Sequence, residues 1–280
     1  LPVKIVTDST SDIPADLTRE LGISVVPLSV IFGDEVYREG IDISHDLFYE
    51  KLIRAKVLPT TSAPSVGDFL SVYEPLLEET DEIVSIHISS KLSATCNNAL
   101  QAASRLSDRA RIEVIDSQSV SLGLTFVAAA AARAAAGGAG IEEIRKLVER
   151  MIPRIHIVVV LDTLEYVRRG GRIGRARAFL GAVLRVKPIL SIRDGEVHPE
   201  ERVRTKAHAL DRIFQMATSY PRTREVAIGY STNAQDAEEM SRRLQEALPG
   251  VEVQVHRLGP VIGVHGGPGT LGVGLLEGEE

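Results

Sequence analysis

The sequence has no tryptophan, and its aromatic residues make up only 4% of 280. Platforms on which bases or sugars stack are therefore scarce, and the core has to be assembled from Leu, Ile, Val and Ala. The single cysteine, Cys96, excludes an intramolecular disulfide and a cysteine-based zinc site, and fits a reducing compartment. No apolar run is long enough to cross a bilayer. The alanine-rich stretch Phe126–Ala136 is interrupted by Arg133 and falls short of the ~20 residues a span needs. A formal net charge of −6 and a pI near 5.7 argue against a general nucleic-acid binder. The chain runs directly into the strand-like VKIVT without the charged and apolar regions of a secretory signal. The expectation is a cytoplasmic protein with no integral membrane segment and no nucleic-acid partner.

Standard catalytic signatures are missing as well. There is no phosphate-binding Walker sequence, and Gly266, Gly267 and Gly269 do not stand between a first strand and its helix, where a dinucleotide fingerprint belongs. No G-x-S-x-G elbow accompanies the many serines. The seven histidines are scattered, with none paired at metal-ligand spacing, so no metal and no cofactor are expected.

What is present is a rhythm of strand, polar loop and helix. Val3–Thr7 reads as a buried strand leading into Asp8–Asp12, where Ser11 or Asp12 can cap a helix over Pro14–Leu21 that Gly22 ends. Ile23–Phe32 is β-branched and apolar, with Pro27 hinting at an edge or a bend, and Gly33-Asp34 turns the chain. Ser44 caps a helix through Lys56. The hydroxyl-rich loop Pro59–Pro64 precedes Ser65 and Asp68, a capping-box pair. Strand Glu82–Ile88 leads through Ser89–Ser93 into helix Ala94–Leu106. Strand Arg111–Ile115 leads through Asp116–Ser119 into the alanine-rich helix. This pattern predicts an α/β fold with a mainly parallel sheet and helices on both faces. Ligands of such sheets bind outside the carboxyl ends of the strands, so these loops could line one mouth, or each could simply be a helix cap.

Gly137, Gly138 and Gly140 interrupt the pattern. The expected division is into two α/β domains, residues 1–150 and 151–280. The second half is read as helix Ile141–Met151, strand Ile155–Leu161, a helix over Arg172–Arg185, and a hairpin of Pro188–Ile192 and Glu196–Glu201 around Asp194-Gly195, a type I′ signal. Helices Lys206–Ser219 and Ala234–Leu248 alternate with strands Glu225–Tyr230 and Val251–Arg257 before the glycine-rich VHGGPGTLGVG. The hairpin makes this sheet mixed.

Donors are plentiful where a nucleophile is not evident. Arg168, Arg169, Arg172, Arg175 and Arg177 crowd into one segment of an acidic chain. Such a cluster reads either as a site for an anionic ligand or partner face, or as a solvated surface. Thr61, Ser62, Ser93 and Thr95, with the N–H groups opening the helix at Ala94, suit a carboxylate or phosphate. His265 stands among glycines, where it can donate to an anion or titrate near neutral pH.

The segments TDSTSDIP (Thr7–Pro14), TSAPS (Thr61–Ser65), ISSKLSAT (Ile88–Thr95), IDSQSVSLGL (Ile115–Leu124), LDTLEYVRRGGRI (Leu161–Ile173), KPIL (Lys187–Leu190) and HGGPGTLG (His265–Gly272), in this order and almost end to end, resemble the DegV family, whose better-studied members are lipid-binding subunits of bacterial fatty acid kinases. The resemblance implies two α/β domains, DegV-like and related to dihydroxyacetone kinases, with one long-chain fatty acid, such as palmitate or stearate, held between them. It implies a protein that is not itself an enzyme. A separate ATP-dependent kinase subunit, similar to dihydroxyacetone kinases, would convert the carboxylate to an acyl phosphate for phospholipid synthesis. Carried over by motif, Thr61 and Ser93 would hold the carboxylate, with Ser62, Ala94 and His265 beside them. Arg169, Arg172, Arg202 and His265 would meet the kinase or stabilise charge during transfer. The acyl chain would be lined by Ile157, Val159, Leu161, Phe179, Leu180, Val183, Leu184, Ile189 and Leu190. Family members often carry glycine where this chain has Ala94, so its methyl group is expected to narrow the approach to the carboxylate, and Cys96, in place of a common aromatic, to leave extra space. Two other readings use the same residues: a self-contained enzyme acting on a small phosphorylated or acidic metabolite, with His265 as acid or base, and a regulator that senses acyl chains.

Overall fold

The computed structural model describes residues 2–181 and 186–279. In the first half, strands β1 (Lys4–Asp8), β2 (Ile23–Val26), β3 (Ser29–Phe32), β4 (Glu35–Arg38), β5 (Thr60–Ser62), β6 (Glu82–His87) and β7 (Arg111–Asp116) are accompanied by helices α1 (Ala15–Leu21), α2 (His45–Arg54), α3 (Val66–Leu76), α4 (Thr95–Arg105), α5 (Leu122–Ala136) and α6 (Ile141–Met151). The second half contains β8 (Ile155–Val160), α7 (Glu165–Arg169), β9 (Lys187–Arg193), β10 (Glu196–Val203), α8 (Lys206–Thr218), β11 (Thr223–Tyr230), α9 (Ala234–Ala247), β12 (Val253–Arg257), α10 (Pro260–Gly266) and β13 (Leu271–Glu277).

The strands form three sheets among the described residues. One is fully parallel, in the order β2-β1-β6-β7. A second, mixed sheet runs β10-β9-β8-β13-β11-β12, antiparallel except between β11 and β12. The α/β class, with a parallel and a mixed sheet, is thus as expected. A small antiparallel sheet, β4-β3-β5, was not foreseen. It arises because the run Ile23–Phe32 divides at Pro27, which has no N–H to continue a ladder. β2 stays in the parallel sheet, while β3 leaves it and pairs with β4 and with Thr60–Ser62, a segment read from sequence as loop.

Several local signals act as anticipated. Gly22 closes α1 at φ 63°, Ser44 caps α2, and Ser65 with Asp68 completes a capping box on α3. Asp194 and Gly195, at φ 49° and 75°, turn β9 into β10. Others do not. Neither Ser11 nor Asp12 caps α1, whose N-cap is Pro14 without a side-chain bond, because Asp12 turns inward to Ser121 and Gly259. Of the helix expected over Arg172–Arg185, the described part forms a six-residue 3-10 helix, Gly174–Phe179, followed by extended Leu180, and 182–185 lie outside the described residues. Gly171 and Gly174 sit at φ 74° and 50°, which an α-helix cannot continue through. Val183 and Leu184 lie outside the described residues. The glycine-rich tail supplies α10 and then β13, which lies between β8 and β11 inside the mixed sheet.

α5 joins the layers. It packs on β1 and β6 from one side and on β8, β11 and β13 from the other, and its residues from Leu122 to Ala129 are all buried. Alanines there let two sheets approach one helix closely, as dense interiors require. The resulting core is continuous, with Val84 and Ile86 of the parallel sheet and Ala227 and Leu276 of the mixed sheet in one cluster with α5 and α6.

Candidate functional site

A cavity of about 150 Å³ lies over one face of the mixed sheet, roofed by α10 and by the loops that follow β6 and β7. At ~10–15 Å³ of such volume for each water-sized group, it accommodates on the order of ten to fifteen such groups, and a methylene is of similar size. Its walls are almost wholly apolar: Leu28, Ile88, Leu92, Val120 and Leu122 from the first half face Ile157, Val159, Leu161, Leu190 and Ile192 from the second. The polar exceptions Thr61, Ser93, Arg172 and His265 come from four separate segments, and the two others, Ser121 and Thr270, already donate to the Asp12 carboxyl and the Gly267 carbonyl.

Each of these groups has a local reason to be there. In β5 the exposure alternates, so Thr61 points inward while Thr60 and Ser62 point out. Ser62 is exposed and bonds the Ala63 carbonyl, outside the lining. Ser93 stands before α4, its hydroxyl accepting from the Thr95 N–H at 3.3 Å and paired with the Thr95 hydroxyl at 2.8 Å. Ala94 is exposed, with ordinary helical angles (φ −74°), and its methyl group is not part of the cavity. Buried Cys96, the other departure noted above, is not in the lining either. Arg172 is held by bonds from its guanidinium to the Leu92 carbonyl (3.0 Å) and the Gly170 carbonyl (2.7 Å).

His265 is on α10 rather than in an open glycine loop. Its Nε2 lies 2.9 Å from the Thr61 hydroxyl, and its Nδ1 is buried without a hydrogen-bond partner among the described residues. The imidazole rests directly on Gly170, where a Cβ would collide with the ring. Burial, reinforced by Arg172, pushes its pKa down to about 4, so it is neutral at physiological pH instead of titrating there. A carboxylate beside it would raise that value.

A second, more polar cavity of about 240 Å³ shares Thr61, Arg172 and His265 with the first, and its boundary includes Leu58, Thr60, Tyr166, Arg169 and Gly170. The polar end of the apolar cavity therefore has a vestibule behind it. The arginine cluster separates here. Arg168 and Arg169 pair with Glu165, and Arg175 with Glu196. Arg169 borders the vestibule, and only Arg172 of these reaches both cavities. Arg202 stacks over Phe179 at 4.9 Å, and neither belongs to either lining.

Of the predicted chain-lining residues, Ile157, Val159, Leu161 and Leu190 line the cavity. Ile189 cannot join Leu190, since neighbouring strand residues face opposite ways. It is fully buried in the core beneath α8. Leu180 is 43% exposed. Sequence reasoning missed the contributions of α10 and its approach, Leu258, Val261 and Ile262, and of Gly229, Gly272 and Ser121. Ser121 carries a recognisable signal only in the structure: a non-glycine residue at φ 52°, ψ −123°, held there by bonds to the Thr10 carbonyl and the Asp12 carboxyl.

Beneath the site run two buried polar groups of residues. Asp8 accepts from the N–H groups of Thr10 and Ile88 and pairs with His87 at 3.0 Å, and His87 continues through Ser85 to Tyr73. This has the order of a Ser-His-Asp triad, but all its side chains are buried and none lines either of the two cavities, so it anchors the loop that carries Leu92 and Ser93. Asp12 and Glu39 accept from the N–H groups of Gly259 and Val261 at 2.8 and 2.7 Å and so fix the start of α10. Among the described residues no cluster of His, Cys, Asp and Glu could hold a metal ion, and no helix is long and apolar enough to cross a membrane.

Comparison with known proteins agrees with this architecture. Residues 2–278 match the family model described as "Uncharacterised protein, DegV family". The chain is 38% identical to a DegV domain-containing protein of Caldanaerobacter subterraneus subsp. tengcongensis over 97% of both chains. It superposes on a fatty-acid-binding DegV family protein from Thermus thermophilus with a TM-score of 0.93 and 35% identity, covering 99% of this chain and 100% of that one. It also superposes on a stearic-acid-binding protein from Eubacterium ventriosum with a TM-score of 0.92 and 27% identity, covering 98% of each. The chain belongs to the DegV family.

Proposed function

We propose that this protein binds one long-chain fatty acid, with the acyl chain in the apolar cavity and the carboxylate among Thr61, Ser93, Arg172 and His265. The observation that carries this reading is the cavity itself, almost wholly apolar, with Thr61, Arg172 and His265 gathered where it meets the second cavity. An ionised carboxylate taken from water without partners costs several kcal/mol, and hydroxyl donors with a guanidinium offset that cost through charge-assisted bonds. An acyl chain gains ~0.8 kcal/mol for each methylene buried, so ten methylenes contribute about 8 kcal/mol. Solved relatives described as fatty-acid-binding support the same reading. A small phosphorylated metabolite would leave most of this apolar wall wet.

The second part of the proposal is that the protein presents the carboxylate to a separate ATP-dependent kinase. The vestibule supports it: Thr61, Arg172 and His265 are reached from both cavities, so a phosphoryl donor could approach a carboxylate whose tail remains enclosed. Arg169, at the vestibule rim, then faces the partner, whereas Arg202 has no role in this reading. The division into units of residues 1–150 and 151–280 is also a proposal, supported by the cavity's position between the elements of the two halves.

Native mass spectrometry of the purified protein, followed by extraction and identification of the ligand, tests the first part. One stoichiometric fatty acid is expected. Thr61→Ala with Ser93→Ala should lose most of it, and unchanged occupancy would refute the head-group assignment. Protein that is empty and takes up no added acid would refute the reading altogether. Arg169→Ala should retain lipid, but its bound acid should be phosphorylated poorly by the partner kinase. If that variant is empty, Arg169 belongs to the lipid site.

A further inference from the structure

The sheet face beneath the cavity is unusually bare. Across it, Leu190, Val159, Gly272 and Gly229 stand side by side in one row of the register. Along β13, Leu271, Val273 and Leu275 turn to the opposite face and pack in the core beneath α8 and α9, which leaves Gly272 and Gly274 on the cavity side. Three glycines of this face thus lack side chains, and their surroundings differ. A Cβ on Gly274 would run into Leu122 at 2.8 Å, and one on Gly229 into Leu258 at 2.7 Å. Close packing of a neighbour explains both glycines. The three atoms nearest to a Cβ on Gly272 all belong to the adjacent strand, the Val158 carbonyl oxygen at a tight 3.3 Å and two atoms of Val159 at 3.5 Å. No roof residue approaches it that closely, and Gly272 lines the cavity.

We propose that Gly272 is a specificity-determining residue, whose missing side chain leaves the floor of the cavity open and thereby sets how long an acyl chain the protein accepts. The inference rests on the fatty-acid reading above. Its φ is not in the left-handed region, so the backbone does not require glycine here. The Val158 carbonyl oxygen approaches from one side, and on the open side the demand comes from the ligand's volume. Each carbon added at this position displaces about one methylene from the longest acid that fits, which lowers that acid's affinity about fourfold (~0.8 kcal/mol per methylene), while acids short enough to end before Gly272 are unaffected.

The test is competition of an equimolar mixture of saturated acids from C12 to C20 for the full-length protein, with the bound acids extracted and quantified by mass spectrometry. Gly272→Ala should shift the preferred length downward and reduce the ratio of the longest to the shortest bound acid about fourfold, and Gly272→Val by more than tenfold. If the Cβ crowds the Val158 carbonyl oxygen enough to impair folding, Val159→Leu, which fills the floor from the neighbouring strand without a Cβ on Gly272, should shift the length profile the same way. A length profile that both substitutions leave unchanged, on protein that still binds acid, overturns the inference while leaving the fatty-acid reading intact. Wild-type protein that takes up none of the acids overturns both.

Discussion

The buried carboxyls Asp12 and Glu39 provide the sharpest quantitative prediction. Both flank one point: a Cβ on Gly259 would lie 2.7 Å from an Asp12 oxygen and 2.5 Å from a Glu39 oxygen. Burial raises Asp12 from 3.8 to about 7, and burial together with the Asp12 charge raises Glu39 from 4.5 to about 8. The folded protein therefore binds these protons more tightly than the unfolded chain. The stability they contribute is fully present below the ordinary carboxylate range and is lost as pH rises toward 7 to 8. At 1.36 kcal/mol per pKa unit, Asp12 alone accounts for on the order of 4 kcal/mol across that window, and roughly 3 kcal/mol of it falls above pH 5. For a chain of this size each kcal/mol is worth roughly 2–4 °C in Tm, so between pH 5 and pH 8.5 Asp12 alone should lower Tm by roughly 5–10 °C, and Glu39 adds to that drop. Asp12→Asn with Glu39→Gln replaces both groups by neutral ones of the same shape and should flatten the profile between these pH values. Wild-type and double-variant curves that run parallel would show that the two carboxyls are already ionised in the fold, and would refute the argument.

Other consequences can be checked directly. His265 should stay neutral down to about pH 4 in lipid-free protein, and its titration midpoint, read from the imidazole NMR shifts, should rise when a fatty acid binds. A midpoint that does not move would place the carboxylate elsewhere. Gly267 sits at φ 79°, where a Cβ would collide with the Tyr166 ring. Gly267→Ala should therefore cost about 2–4 kcal/mol in denaturant unfolding, and less than 1 kcal/mol would contradict that contact. Asp8→Ala leaves two buried N–H groups without their acceptor and His87 without its partner and should destabilise by about 3–5 kcal/mol, with faster hydrogen exchange at Ile88.

Much of the fold was legible because local chemistry and tertiary demand coincide. Gly22, Ser44 and the Ser65–Asp68 pair terminate helices in ways that depend on a few neighbouring atoms, and Asp194-Gly195 fixes a hairpin by its own allowed dihedral angles. The alternation of apolar strands with polar loops needed no long-range information to predict the parallel sheet. The elements that were missed are those whose stability is borrowed. A three-residue strand such as β5 exists only because β3 is there to pair with it. β13, reading LGVGLLE, has glycines where an isolated strand would want side chains, and it holds because β8 and β11 pair with it from both sides.

The same distinction applies to the site. Sequence by itself determined the inventory: an acidic, aromatic-poor α/β chain with hydroxyl loops, a basic segment and an ordered set of motifs that identify a family. It could not determine which members of that inventory meet. Thr61 and His265 are 204 residues apart, and only the pairing of β5 with β3 and the seating of α10 on Asp12 and Glu39 bring them to 2.9 Å. Side-chain direction was decided at the same level. Strand alternation turns Leu190 toward the cavity and Ile189 away from it, and selects Thr61 over Ser62. Gly272 shows the limit most clearly, since the sequence records the absence of a side chain but only the packed structure shows whether a neighbour or a cavity occupies the space.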